Sequence, residues 1–166
     1  MRVHHSQPCL TLAVGSHLGV RFLDVLVHEA VSVTVIVFAA GASVPLHDHP
    51  GMHVFSKVLA GRLNGDIYDL LQPLPQHALP IGSFIEVRNK RSFTMSTLDI
   101  DHNSPVEANV HCLSCATNGP ATVLLSIMLP PYAAREDACH YFSTTASDTQ
   151  LQVIDDCEHD VQVSSL

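Results

Sequence analysis

Tryptophan is absent from this 166-residue chain, aromatic residues make up 5% of it, and charged residues only 14%. So low a charge content, beside 46% apolar residues, argues against a disordered chain. Positive charge is scarcest: eight Lys and Arg stand against sixteen Asp and Glu, a net charge of −8. That balance disfavours nucleic acid and anionic membranes as partners and leaves cationic ligands acceptable. No apolar run approaches the ~20 residues of a membrane-spanning helix. Residues 1–20 also lack the clean apolar block and cleavage site of a secretory signal. Five cysteines, an odd number at irregular spacing, form no disulfide framework and read as reduced thiols inside a cell. These absences predict one cytoplasmic domain over residues 1–166, a nuclear location remaining open, and a monomer. Residues 1–19, with His4, His5 and Pro8, read as a loose lead-in, and 155–166 as an acidic tail.

What the chain does have is punctuation: ten prolines and eight glycines set between short apolar runs. Val31-Ser-Val-Thr-Val-Ile-Val-Phe38 is β-branched and too short for a helix, so it predicts a strand. Further strands are expected at Val54–Ala60, Asp66–Leu71, Ser83–Phe93, Asn109–Leu113, Ala121–Leu129, Cys139–Phe142 and Leu151–Ile154. Gly61 to Gly65 reads as a tight turn, and Leu71–Gly82 and Asp99–Ala108 as loops. No repeat and no amphipathic helix emerges. The expectation is an all-β sandwich or barrel, without βαβ units.

Twelve histidines make the second feature, and two of them sit in an ordered frame. From Gly41, five residues lead to His47-Asp48-His49; four more lead to Val54, and six more to Gly61. On a strand, positions 47 and 49 point to one face, as a divalent metal requires. His49-Pro50-Gly51 predicts a turn just after the pair. The frame is the spacing of the first cupin motif, with valine at position 54 where cupins generally carry a metal-binding glutamate. A two-histidine-one-carboxylate site is therefore unavailable from this stretch. The third ligand is sought on a later strand. His111 is the first candidate; His102, in a loop, and His53, beyond the proline break, are the alternatives.

Leu46-His-Asp-His-Pro-Gly-Met52, Phe55-Ser-Lys-Val-Leu-Ala-Gly61, Asn109-Val-His111 and Leu129-Pro-Pro-Tyr132 together resemble the cysteamine dioxygenase and plant cysteine oxidase family of thiol dioxygenases. The resemblance runs from about Val33 to Phe142. It implies a cupin-type double-stranded β-helix with few or no helices, and one Fe(II) held by His47, His49 and His111. It also implies oxidation by O2 of cysteamine, or of a peptide's N-terminal cysteine, to the sulfinic acid. Three neutral imidazoles would leave the metal's charge uncompensated, which suits an incoming thiolate. Zinc would fit the same histidines but has no redox chemistry with O2.

The chain departs from the family at Ser126, where relatives usually carry an aspartate implied to position substrate or water. That departure keeps a second reading open: a weak or inactive metal-binding cupin with a small-ligand role. A structural β-module with incidental histidines is the third. The resemblance also marks Cys139 and Tyr141, which share a face if both lie on a strand, as a pair able to crosslink; plain packing is the simpler reading. Ser126, Cys139 and Tyr141 are accordingly the catalytic candidates, and Asp66, Tyr68 and Tyr132 the substrate-binding ones, Asp66 as a partner for an ammonium group. Cys112-x-x-Cys115 has neither the second pair of a zinc site nor a redox context. Asp48 and Lys57 are expected to face away from the metal or to form surface pairs. Arg62, Arg88 and Arg91 occupy no position that announces a carboxylate clamp.

Overall fold

The computed structural model describes residues 11–14, 19–75, 77–132 and 139–155. The strands are β1 Thr11–Val14, β2 Val20–His28, β3 Val31–Phe38, β4 Ser43–His47, β5 His53–Ala60 and β6 Arg62–Leu70. They continue with β7 Phe84–Ser96, β8 Ile100–Asn103, β9 Val110–Cys115, β10 Thr122–Leu129, β11 Tyr141–Thr144 and β12 Gln150–Ile154. All pairings are antiparallel and fall into two sheets. One has the order β1-β2-β3-β10-β5-β8; the other, β11-β12-β7-β6-β9-β4, closes on itself through the Tyr141–His47 pair. Among the described residues no helix is long and apolar enough to cross a membrane.

Alternation along the strands divides the core in two. On β9, Leu113 and Cys115 pack with Phe38, Val58, Leu63 and Leu124, whereas Val110 and Cys112 turn to the opposite face and pack with Leu70, Leu151 and Val153. His111 falls on the Leu113 side. That face of β9 looks across at the inward face of β3, β5 and β10.

Three expectations need correction. Gly61 alone makes the turn, with φ of 82°, and β6 has already begun at Arg62. Gly65 lies within β6 because the backbone of β9 passes too close for a side chain: a Cβ there would fall on the Cys112 carbonyl oxygen and lie 2.8 Å from the Phe93 ring. Two glycines around an asparagine imitate a turn, yet the second serves close strand approach. The stretch read as a loop over Asp99–Ala108 contains β8, an edge strand on β5. In the expected lead-in, residues 11–14 form β1, paired with β2; residues 1–10, 15–18 and most of the acidic tail lie outside the described residues.

Gly65→Ala should therefore destabilise the protein by about 2–3 kcal/mol, as overpacking does, read as a lower urea midpoint. An unchanged midpoint would mean that β6 and β9 separate freely.

Candidate metal centre

β4 ends at His47, so strand alternation places only the first histidine of the pair. His49 is set by the turn that follows: Pro50-Gly51 reverses the chain, with Gly51 at φ 63° and the Met52 N–H donating to the His49 carbonyl at 3.1 Å. Fully buried Asn109 then clamps the His49 backbone, donating to its carbonyl at 2.9 Å and accepting from its N–H at 3.3 Å. His111 lies opposite His47 across β4 and β9. The three rings stand 4.7–4.9 Å apart by centroid, and one ligand atom from each falls within 4.8 Å of the others. His53 and His102, the alternatives for the third position, meet each other instead, Nδ1 to Nε2 at 3.0 Å, exposed and stacked beside Phe55.

Every Nδ1 in the triad is occupied. His47 Nδ1–H donates to the Pro45 carbonyl at 2.8 Å. His49 Nδ1–H donates to the Tyr132 hydroxyl at 2.6 Å, which passes its own proton to the Asp48 carbonyl at 2.6 Å. His111 Nδ1 lies 2.9 Å from the Asn103 amide nitrogen, which itself donates to the Ala108 carbonyl. The Pro45 and Tyr132 partners fix the tautomers of His47 and His49 and leave their Nε2 atoms as lone pairs. Burial also keeps the rings neutral. It drives His111 down to about 3, helped by the charge of His47, and holds His49 well below 6.5, with His111 and His47 adding to the effect. His47 is lowered as well, desolvation outweighing its bond to Pro45. The Nε2 atoms of His49 and His111 face each other at 3.4 Å, and their lone pairs repel unless a proton or a cation lies between them. A divalent cation resolves that repulsion, and the donor set fits one.

The triad opens into a cavity of about 330 Å³, bounded on the far side by Val54, Ser56, Leu124, Ser126 and Met128, and capped by Pro131 and Tyr132. Ser126 is buried on that wall. Tyr132 touches His49, and the burial that raises its hydroxyl well above 10 keeps it a donor. Its other neighbours include Cys139 and Tyr141. Cys139 precedes β11, so the shared-face argument for Cys139 and Tyr141 does not hold; Cys139 lies instead against Tyr132. The Tyr141 ring sits 6.4 Å from that of His47. Asp66 and Tyr68 lie elsewhere. Asp66 accepts from Ser92 at 2.6 Å, and Tyr68, on the same face of β6, is buried in the second core. Asp48 does face away from the triad but is no surface residue: it is fully buried, accepting from the His140 backbone N–H at 2.6 Å and from its ring Nδ1 at 2.7 Å. The roles of Asn109, Asn103 and Asp48 were beyond sequence reasoning; only the proximity of Asn109 to His111 hinted at one.

Tyr132→Phe should weaken metal affinity about 10- to 100-fold without unfolding the protein, measured by competition with a chelator. The neutral histidines also predict acid sensitivity of the metal-free protein. Their folded pKa values lie below the unfolded 6.5, so the unfolded state binds more protons as pH falls through 6.5, and stability is lost from there down toward 3. His111→Gln should accordingly lose less thermal stability than wild type between pH 7.5 and 5.

Comparison with known proteins agrees with this geometry. A family model described as PCO_ADO matches residues 10–165. The 2-aminoethanethiol dioxygenase of Mus musculus is 29% identical over 143 residues, covering 74% of this chain and 54% of that protein. Plant cysteine oxidase 2 of Arabidopsis thaliana is 29% identical over 126 residues, covering 74% and 44%. The chain thus spans about half the length of the curated relatives it matches. Among solved structures, a double-stranded β-helix protein from Klebsiella pneumoniae aligns at a TM-score of 0.53 and 13% identity, over 85% of this chain and 96% of that one. An oxalate oxidase in complex with glycolate aligns at 0.51 and 15% identity, over 69% and 53%. The all-β expectation therefore holds in its specific form, a cupin-type double-stranded β-helix, and the chain belongs to the PCO_ADO family.

Proposed function

We propose that this chain is an Fe(II)-dependent thiol dioxygenase, acting on a small aminothiol such as cysteamine or on a peptide's N-terminal cysteine. The observation that carries the reading is the convergence of three neutral imidazoles on a largely apolar cavity. His47, His49 and His111 would hold the iron, and bound there it would supply the redox chemistry by which a thiol and O2 give a sulfinic acid. The relatives named above, a 2-aminoethanethiol dioxygenase and a plant cysteine oxidase, support the same reaction class.

The protein's own contribution is positioning and exclusion of water. The Pro45 carbonyl, the Tyr132 hydroxyl and the Asn103 amide orient the three rings. Val54, Leu113, Leu124, Met128 and Pro131 keep the surroundings apolar. Tyr132, expected to touch substrate, is assigned instead to holding His49. Ser126, facing the cavity, and Tyr141, beside His47, remain the candidates for contact with the reacting groups. The free thiols Cys112, Cys115 and Cys139 suit the reducing interior of a cell, cytoplasm or nucleus.

A weak or inactive metal-binding cupin is the competing reading, motivated by serine at position 126. Metal analysis of the purified protein, combined with O2 uptake on cysteamine and on a Cys-initiated peptide, separates the two. Stoichiometric iron with uptake supports the dioxygenase; iron without uptake on either thiol supports the competitor.

His47→Ala, His49→Ala and His111→Ala should each abolish iron binding and O2 uptake while leaving a folded β domain by circular dichroism. Free cysteine should turn over more slowly than cysteamine, because no Lys or Arg is among the described residues lining the cavity. Arg88 donates instead to the Leu70 carbonyl at 3.0 Å, and Arg91 pairs with Asp69 at 3.0 Å. Comparable rates on the two thiols would require a cationic group to enter the pocket.

A further inference from the structure

The wall opposite the histidines is patterned. Opposed positions on antiparallel strands share a face, and three such rows cross the sheet inside the cavity. One row is Val54, Met128, Ser32 and Val27; another ends in Leu124, Ile36 and Phe22. Between them runs Ser56 on β5, Ser126 on β10, Thr34 on β3 and Asp24 on β2, all four lining the cavity. A hydroxyl–hydroxyl–hydroxyl–carboxylate row on an inward face, flanked by apolar rows, is costly unless something satisfies it.

The backbone is adjusted to put the carboxylate there. The β2 register shifts between Asp24 and Leu26. With that bulge, Phe22, Asp24 and Val27 all face the cavity, which a regular period of two would forbid. Thr34 Oγ1 donates to Asp24 Oδ1 at 2.8 Å and fixes the carboxylate's orientation. Next to this pair, Ser32 is 5% exposed, and its Oγ, on the same wall, is buried with no hydrogen-bond partner. Asp24 is the single carboxylate among the described residues lining the cavity, with no Lys or Arg among them to neutralise it.

We propose that this row is the binding subsite for the ammonium group of the substrate, with Asp24 its counter-charge and the Ser32, Ser56 and Ser126 hydroxyls its hydrogen-bond acceptors. The identity of the ligand's other end, a thiol directed at the histidine triad, rests on the dioxygenase reading. An ammonium group has three donors and no acceptor, which matches a wall of hydroxyl oxygens ending in a carboxylate. In a largely apolar cavity the charge of Asp24 acts across the row with little screening. The subsite thus selects cationic thiols over neutral ones and repels thiols bearing only a carboxylate. This assigns to Asp24 the role that Asp66 held in the sequence reading.

The test is anaerobic binding of cysteamine and of ethanethiol, which lacks the amine, to the purified metal-loaded protein. Wild type should bind cysteamine at least 10-fold more tightly. Asp24→Asn should remove that preference by weakening cysteamine about 10-fold, with ethanethiol affinity and iron content unchanged. Asp24→Glu, which keeps the charge, should retain most of it. An undiminished preference in Asp24→Asn, or equal loss for both thiols, would overturn the proposal. Should wild type bind neither thiol, the dioxygenase reading fails on its own, and 2-aminoethanol then reads the subsite directly by NMR titration. Amide shifts at Asp24 and Thr34 that disappear in Asp24→Asn uphold the subsite; shifts that persist in the variant, or none in wild type, overturn it.

Discussion

Three imidazoles packed against one another with each Nδ1 turned to its own partner are the constraint from which the rest of the site follows. The protein supplies a partner for each Nδ1: the Pro45 carbonyl for His47, the Tyr132 hydroxyl for His49 and the Asn103 amide for His111. Once these contacts are made, the Nε2 atoms can only converge. Ring nitrogens so placed, those of His49 and His111 3.4 Å apart, make a group ready to hold a cation. Neutral ligands also leave the cation's charge available to whatever enters the cavity.

Much of this was legible in the chain. The spacing from Gly41 through His47 and His49 to Gly61, and the β-branched run Val31–Phe38, announce their elements locally, because strand alternation and glycine punctuation depend on adjacent residues. His111 could be ranked first because it opens a strand after a loop, while His53 and His102 remained in contention until the sheets showed them paired on the outside. Elsewhere the physics was not local. Gly65 looks like a turn residue until β9 is laid beside it. Asp66 and Tyr68 follow the motif closely in sequence, but the face of β6 they share looks away from the histidines, where Asp66 meets Ser92 and Tyr68 the second core. Asp24 was invisible as a site residue because its inward direction depends on a bulge and on three neighbouring strands.

The cavity thus has two walls of different character. On one side, nitrogen donors are held rigid by backbone carbonyls; on the other, a band of side-chain oxygens crosses an apolar sheet. A ligand with a soft, metal-seeking end and a charged, hydrogen-bonding end suits both at once, whereas a purely apolar one leaves the oxygen band unsatisfied.

Asp48 has a consequence beyond the metal centre. Its carbonyl receives the Tyr132 hydroxyl and its carboxylate receives His140, so both ends of the chain between positions 132 and 140 are fastened to one residue lying between two of the histidines. Closing a loop between fixed ends costs little more free energy as the loop lengthens. The length of chain that joins positions 132 and 140 is therefore a weak lever on this fastening, which holds both ends beside the histidines.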